Sequence, residues 1–229
     1  MSKEKKIIAA KKAIEYVKEG MKIGLGTGST ADEFAKILSE KVKNGFKITC
    51  VPTSNKTKIL AEELNIPLSS LSELHLLDLT IDGADEIDNQ LTLIKGGGGA
   101  LLREKMIAFN SKKMIVIADD SKMVDTLGDF RLPVEVINFE HQITAKRILD
   151  TLDKNGYRGD AELRLDRGTA FITDSKNLIY DLSIGCIREP SVVNKLINLI
   201  PGVVENGLFV DMANIVILGE EHKVRVIEK

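Results

Sequence analysis

Apolar positions along this chain switch between a helical and an extended period. Ile7, Ala10, Ile14 and Val17 recur on one helical face, and the apolar run KIGLG (22–26) follows as a strand. Beyond the loop GTGST, a second helical pattern is set by Ala31, Phe34, Ala35, Leu38 and Val42. KITCVP (47–52) then reads as a strand, 56–64 as a helix and LDLTID (77–82) as a strand. QLTLIK (90–95) predicts a further strand, 100–110 a helix opened by glycines, and KKMIVIA (112–118) a strand apolar enough to be buried on both faces. This alternation predicts an α/β fold: a Rossmann-like, mostly parallel sheet flanked by helices, of the doubly wound type.

After about residue 130 the rhythm changes. LPVEVI reads as a strand, 142–152 as a helix, and AELRL, TAFIT and NLIYDLSI as strands, one of them merging with a neighbour. Pro190 opens a helix with Val192, Val193, Leu196, Ile197 and Ile200 on its apolar side, and GVVENGLFV follows as a strand. The order β-α-β-β-α-β predicts a smaller ferredoxin-like α+β domain. ANIVILG and HKVRVIE add two strands that return to the first sheet. The expected domains are therefore 1–130 plus 205–229, interrupted by 131–204.

A length of 229 residues accommodates two such lobes, and 43% hydrophobic with 29% charged content is ordinary for a globular protein. With 32 basic against 34 acidic residues, no basic field points to nucleic acid. The opening MSKEKKIIAAKKAIEYV is charged and helix-patterned without the apolar core of a signal peptide, and no run is long enough to span a bilayer. The expectation is a cytoplasmic protein with no membrane partner. Cys50 and Cys186 sit in apolar strand-like runs, as buried reduced thiols would. His75, His141 and His222 lack companions at zinc-ligand spacing, so no metal site is expected from them.

The chemistry concentrates between Asp82 and Glu104, where carboxylates, a lysine and consecutive glycines share one passage. Asp82 and Asp85 follow the strand LDLTID at the carboxyl end of the sheet, where open α/β folds bind ligands. From the residues alone they read equally as acids that cap loop turns or as functional groups, whether for proton transfer or as magnesium ligands; Glu86 and Asp88 read as turn-capping acids. Lys95 precedes Gly96, Gly97, Gly98 and Gly99, a run costly to order unless its backbone must approach a ligand. Its N–H groups at a helix start suit a phosphate or an enediolate, with Lys95 at the rim. Glu104, flanked by Arg103 and Lys105, reads from pattern alone as a charge on a solvated helix face, and Lys122 as a loop lysine.

The loop 24–30, GLGTGST, between a strand and a helix, also favours an anion, although Ser29 or Thr30 as helix N-cap would explain the hydroxyls equally well. Gly26, Gly28 and Ala31 satisfy a loose dinucleotide pattern, but the second strand ends without the acid that would hold a ribose. No lysine precedes Ser29 and Thr30 as a Walker loop requires. A small phosphate ester fits better than a dinucleotide or nucleoside triphosphate.

Taken in order, GLGTGST, TIDGADEID, LIKGGGGALLREK, IADDSKMV, LPVEV and PGVVENGLF closely resemble the ribose-5-phosphate isomerase family of the A type, over essentially the whole chain. The resemblance implies interconversion of ribose 5-phosphate and ribulose 5-phosphate in the pentose phosphate pathway, without metal or organic cofactor. Carried over by motif, it makes Glu104 the general base, Asp82 and Asp85 active-site carboxylates, and Lys95 the cation beside the reacting oxygens. It makes Thr27, Gly28, Ser29 and Thr30, Asp82, Gly83, Ala84 and Asp85, and Lys95, Gly96, Gly97 and Gly98 the substrate-binding loops, with Lys122 a further contact and Lys6 a lysine near the phosphate. It also implies a homodimer or homotetramer. The stretch AELRLDRGTAFITDSKN departs most from the family pattern.

Two other classes compete. A non-catalytic sugar-phosphate sensor would carry a DNA-binding module, and none precedes the first strand. A metal-dependent phosphohydrolase or an acyl or CoA transferase using the same acids would need magnesium or release inorganic phosphate.

Overall fold

The computed structural model describes residues 3–229. They form two compact units, Met1–Ala84, Arg103–Lys122 and Asp211–Lys229 making the first, Asp85–Leu102 and Met123–Val210 the second. The segment 85–102, grouped with the larger lobe by its sequence pattern, thus packs with the second unit.

The first unit is a six-stranded sheet in the order Val224–Glu228, Ile215–Gly219, Met114–Asp119, Leu79–Asp82, Lys22–Leu25, Thr49–Pro52. All neighbours are parallel except the terminal hairpin. Alternate residues feed opposite faces, so Cys50 joins one cluster and Val51 another. The larger cluster packs Ile23, Leu25, Ile81, Ile117 and Ile217 against Phe34 and Leu38 of helix Ser29–Lys43. Burying a side chain such as Phe34 contributes roughly 2–3 kcal/mol. Helix Lys3–Ala13 lies close over the strands because its buried positions are Ala9, Ala10 and Ala13. That approach requires Gly219, where a Cβ would lie 1.8 Å from the Lys5 carbonyl oxygen. The second cluster, Val51 and Leu77, is covered by Ile107 of helix Leu101–Phe109.

The second unit is built on a four-stranded antiparallel sheet in the order Val203–Asn206, Leu132–Val136, Leu178–Ser183, Asp160–Leu163. Its strands therefore lie fourth, first, third, second in chain order. Helices His141–Lys154 and Pro190–Asn198 supply Ile148, Leu152, Val193 and Ile197 to a core shared with Val134, Val136, Tyr180 and Leu182. His141 Nδ1 lies 2.8 Å from the Tyr180 hydroxyl.

Four expectations change. QLTLIK contributes only Leu93–Ile94, antiparallel to Glu86–Ile87 and Leu208–Phe209 in a separate three-stranded sheet. A parallel neighbour needs a crossover of roughly a dozen residues, whereas Asp88 here closes a tight turn by accepting from the Gln90 and Thr92 N–H groups. TAFIT contributes Thr169–Ala170, paired locally with Leu165–Asp166, because Arg167 and Gly168 both take positive φ in the hairpin turn. GVVENGLFV splits at Gly207, whose N–H donates to Pro133 O and whose carbonyl accepts from Lys95 N–H. Cys50 is buried as expected, whereas Cys186 is exposed, since its strand ends at Ser183 and Gly185 turns the chain outward at φ 67°.

Candidate active site

In the first unit, three successive parallel strands end at Leu25, Pro52 and Asp82, and their loops carry the polar groups. Asp82 is fully buried at the end of its strand. Its Oδ1 accepts from Thr27 N–H at 3.0 Å and from Gly83 N–H at 2.7 Å. Gly26 permits this closeness, because a Cβ there would sit 2.3 Å from that same oxygen. Two sequence motifs more than fifty residues apart thus meet through one carboxylate oxygen.

Helix Ser29–Lys43 starts differently from either capping alternative. Gly28, at φ 122°, occupies the N-cap with no side-chain cap, and Ser29 is already helical. The Ser29 hydroxyl instead accepts from Lys6 Nζ at 2.7 Å, and Thr30 is buried. Neither hydroxyl is spent on capping, and the first N–H groups of the helix keep their dipole-favoured anion position. Ala84 and Gly83 continue the chain from Asp82, and Gly83 lies near the Thr27 and Ile117 carbonyls.

Thr27 is locked by groups that motif reading overlooked. Its hydroxyl lies 2.7 Å from Thr53 Oγ1, 2.8 Å from Ser54 Oγ and 2.9 Å from Thr57 Oγ1. Thr57 also donates to the Gly26 carbonyl at 3.0 Å, and Ser54 caps helix Asn55–Glu63 by accepting from Thr57 N–H. The available signal was the hydroxyl-rich run TSNKT directly after the second strand.

Glu104 lies in the first turn of helix Leu101–Phe109 and is 4% exposed, which overturns its reading as a solvated charge. Arg103 and Lys105 beside it are half-buried, and Arg103 donates to Asn55 Oδ1 at 3.0 Å. A carboxylate is expensive to bury, so such placement makes Glu104 a candidate functional group. Lys122 closes the turn Asp120–Lys122 just past strand Met114–Asp119. Lys5 pins that turn, its ammonium 2.7 Å from Asp120 Oδ1, and holds the Asp120 carboxyl below its ordinary range. Adjacent lysines of the first helix therefore reach two different loops, Lys5 to Asp120 and Lys6 to Ser29.

In the second unit, Asp85 Oδ2 accepts from Gly97 N–H at 2.8 Å. Glycine at 97 allows this close approach, since a Cβ would lie 2.7 Å from Asp85 Oδ1 and the carboxylate would have to shift. Gly96 and Gly99 take φ of 105° and 78°, and Gly99 N–H donates to Gly96 O to close a turn. Gly98 stands exposed at its tip. Lys95 is 2% exposed, with Nζ 5.5 Å from the centroid of the Phe209 ring, a cation–π placement. Glu86 has the structural role expected of it, accepting from the Gly128 and Phe130 N–H groups. Among the described residues no cluster of three or more His, Cys, Asp or Glu is arranged to hold a metal ion.

A parallel sheet with buried carboxylates and open backbone donors at its carboxyl-end loops defines an α/β enzyme. The chain belongs to the ribose-5-phosphate isomerase A family: the family model for ribose 5-phosphate isomerase A (phosphoriboisomerase A) matches residues 49–223. Ribose-5-phosphate isomerase A of Parvibaculum lavamentivorans is 51% identical over 226 residues, 98% of each chain. The ribose 5-phosphate isomerase structure from Plasmodium falciparum superposes with a TM-score of 0.94 at 38% identity, covering 100% of this chain and 99% of that one. A D-ribose-5-phosphate isomerase in complex with phospho-erythronic acid gives 0.90 at 40% identity, over 98% and 97% of the two chains.

Proposed function

We propose that this protein interconverts D-ribose 5-phosphate and D-ribulose 5-phosphate by proton transfer through an enediolate. Family membership over nearly the whole chain carries the reaction, and the burial of Glu104 against the charge pattern around it supports that residue as the base. The Glu104 carboxylate removes the C2 proton of the open-chain aldose, leaving an enediolate, and returns the proton to C1. Lys95 and the N–H groups of Gly96 and Gly98 stabilise the oxygen charge, while Gly97, whose N–H is held by Asp85, shapes the loop. Asp82 assists ring opening or exchange of the hydroxyl proton, and Asp85, an active-site carboxylate, holds the Gly97 amide. Asp82 also orders the loop ahead of the first phosphate contact through Thr27 N–H.

Phosphate binding is assigned to Gly28, Ser29 and Thr30 with Lys6, and Lys122 is a further substrate contact. Thr27, whose N–H and hydroxyl are both engaged within the protein, shapes that loop. Binding energy from the phosphate orients the reacting carbons, so dephosphorylated ribose is a very poor substrate. The smaller unit is read as a ferredoxin-like α+β domain, and the protein as a cytoplasmic homodimer or homotetramer of the pentose phosphate pathway.

Turnover of ribose 5-phosphate in deuterated water with EDTA tests the reaction. Ketose appearing with carbon-bound deuterium is the expected result, and the absence of ketose refutes the isomerase assignment. Glu104→Gln is expected to lower kcat by roughly 10²-fold or more with intact folding. Near-normal turnover of that variant removes Glu104 from the role of base.

A further inference from the structure

The stretch that departs most from the family pattern, AELRLDRGTAFITDSKN, carries the side chain that grips the glycine run. Arg164 lies between strand Asp160–Leu163 and the hairpin strand Leu165–Asp166. Its Nε donates to Asp181 Oδ2 at 2.8 Å and its Nη2 to Asp181 Oδ1, a two-point pair that orients the guanidinium plane. The remaining donor, Nη1, reaches two successive carbonyls, Gly96 O at 2.8 Å and Gly97 O at 3.2 Å. Arg164 and Asp181 side chains are 14% and 18% exposed, so the pair is only weakly screened by solvent. Phe171 completes the support, its ring 5.9 Å from the guanidinium and against Gly99, where a Cβ would lie 2.4 Å from ring carbons.

A planar trans peptide points its N–H opposite to its C=O. With the Gly96 carbonyl drawn to Arg164, the Gly97 N–H faces the other way, into Asp85 Oδ2. Arg164 and Asp85 therefore hold one peptide unit from opposite edges. The next unit obeys the same geometry: the Gly97 carbonyl turned to Arg164 directs the Gly98 N–H away from the hairpin, at the exposed tip of the loop. A cation on the carbonyl side also polarises both amides and strengthens them as donors.

We propose that Arg164, oriented by Asp181, is a positioning residue for the isomerisation: with Asp85 it fixes the peptide between Gly96 and Gly97, and it aims and polarises the Gly98 amide, whose N–H stabilises the developing enediolate. This rests on the reading of 95–98 as a substrate loop, and the test separates the two. Arg164→Gln, Arg164→Lys and Asp181→Asn are compared with the unaltered protein and with Glu104→Gln. The readouts are kcat and KM for ribose 5-phosphate, inhibition by phospho-erythronic acid, whose carboxylate places two oxygens on one carbon, and melting temperature. Arg164→Gln is expected to lower kcat roughly 10- to 100-fold, less than outright removal of an oxyanion donor. It weakens phospho-erythronic acid by a similar factor, while KM, to which the phosphate contributes most, stays within about threefold. Arg164→Lys, a point charge without the planar fork, recovers only part of kcat.

The proposal is overturned if Arg164→Gln keeps kcat within about threefold while Glu104→Gln is inactive. It is equally overturned if kcat, KM and melting temperature collapse together and Arg164→Lys restores nothing, which is the behaviour of a purely structural pair. Should Arg164→Gln fail to fold, Arg164→Lys and Asp181→Asn decide by the same split of kcat against KM. Normal turnover by Glu104→Gln instead refutes the site reading itself.

Discussion

Thr57→Val tests whether the hydroxyl cluster behind the 26–30 loop carries stability and order, because valine keeps the shape of threonine and replaces its hydroxyl with a methyl. Thr57 is almost fully buried, so no water replaces what is lost. Its Oγ1 donates to Gly26 O at 3.0 Å, accepts from Ser54 Oγ at 3.0 Å and lies 2.9 Å from Thr27 Oγ1. Thr27 keeps Thr53 and Ser54, whereas the Gly26 carbonyl and the Ser54 hydroxyl each lose a partner. At about 1 kcal/mol net for each buried hydrogen bond, the substitution costs about 2 kcal/mol. For a chain of this size that lowers the melting temperature by roughly 4–8 °C. Thr57→Ser, which restores the hydroxyl, recovers most of the loss. The loop geometry adds a second readout: Gly26 and Thr27 flank the nearest approach to Asp82, so KM for ribose 5-phosphate rises several-fold, by about 3- to 10-fold, with little change in kcat. A melting temperature within about 1 °C of the unaltered protein, measured by calorimetry or circular dichroism, refutes the reasoning.

The two thiols are expected to differ sharply. Cys186 is exposed and reacts promptly with a disulfide reagent at neutral pH, whereas burial pushes the Cys50 thiol up to about 12 and shields it until the protein unfolds. The sign follows from linkage: above about pH 9 unfolded chains lose the Cys50 proton and folded chains keep it, so stability falls as pH rises toward about 12, a decline that Cys50→Ala reduces in denaturant titrations. At the acid end, Asp120 is held below its ordinary range by Lys5, so their pairing contributes above the unfolded carboxyl value and is lost as pH falls through the lowered folded one. Lys5→Met is accordingly expected to flatten the acid side of the stability profile while raising KM through the Lys122 turn, and an unchanged acid limb in urea titrations at successive pH values counts against it.

Much of this protein was legible as linear pattern. Strands such as KIGLG and MIVIA, and helices bearing Phe34 and Leu38 or Val193 and Ile197, announce themselves because burial against a sheet selects apolar residues at fixed periods. The motifs around GTGST, DGAD and KGGGG were equally visible, since turns and anion-binding loops need glycine where a Cβ would collide, as at Gly26 and Gly97. Tertiary structure alone decided the rest. Periodicity does not identify strand partners, and so QLTLIK joined a small antiparallel sheet with Leu208–Phe209, more than a hundred residues away. A single carboxylate in a charged run gives no sign of facing inward, yet Glu104 is buried by the packing of its helix. The grip of Arg164 on Gly96 and Gly97 spans nearly seventy residues. No local pattern encodes it, because hydrogen-bond geometry depends on where the folded backbone places donor and acceptor.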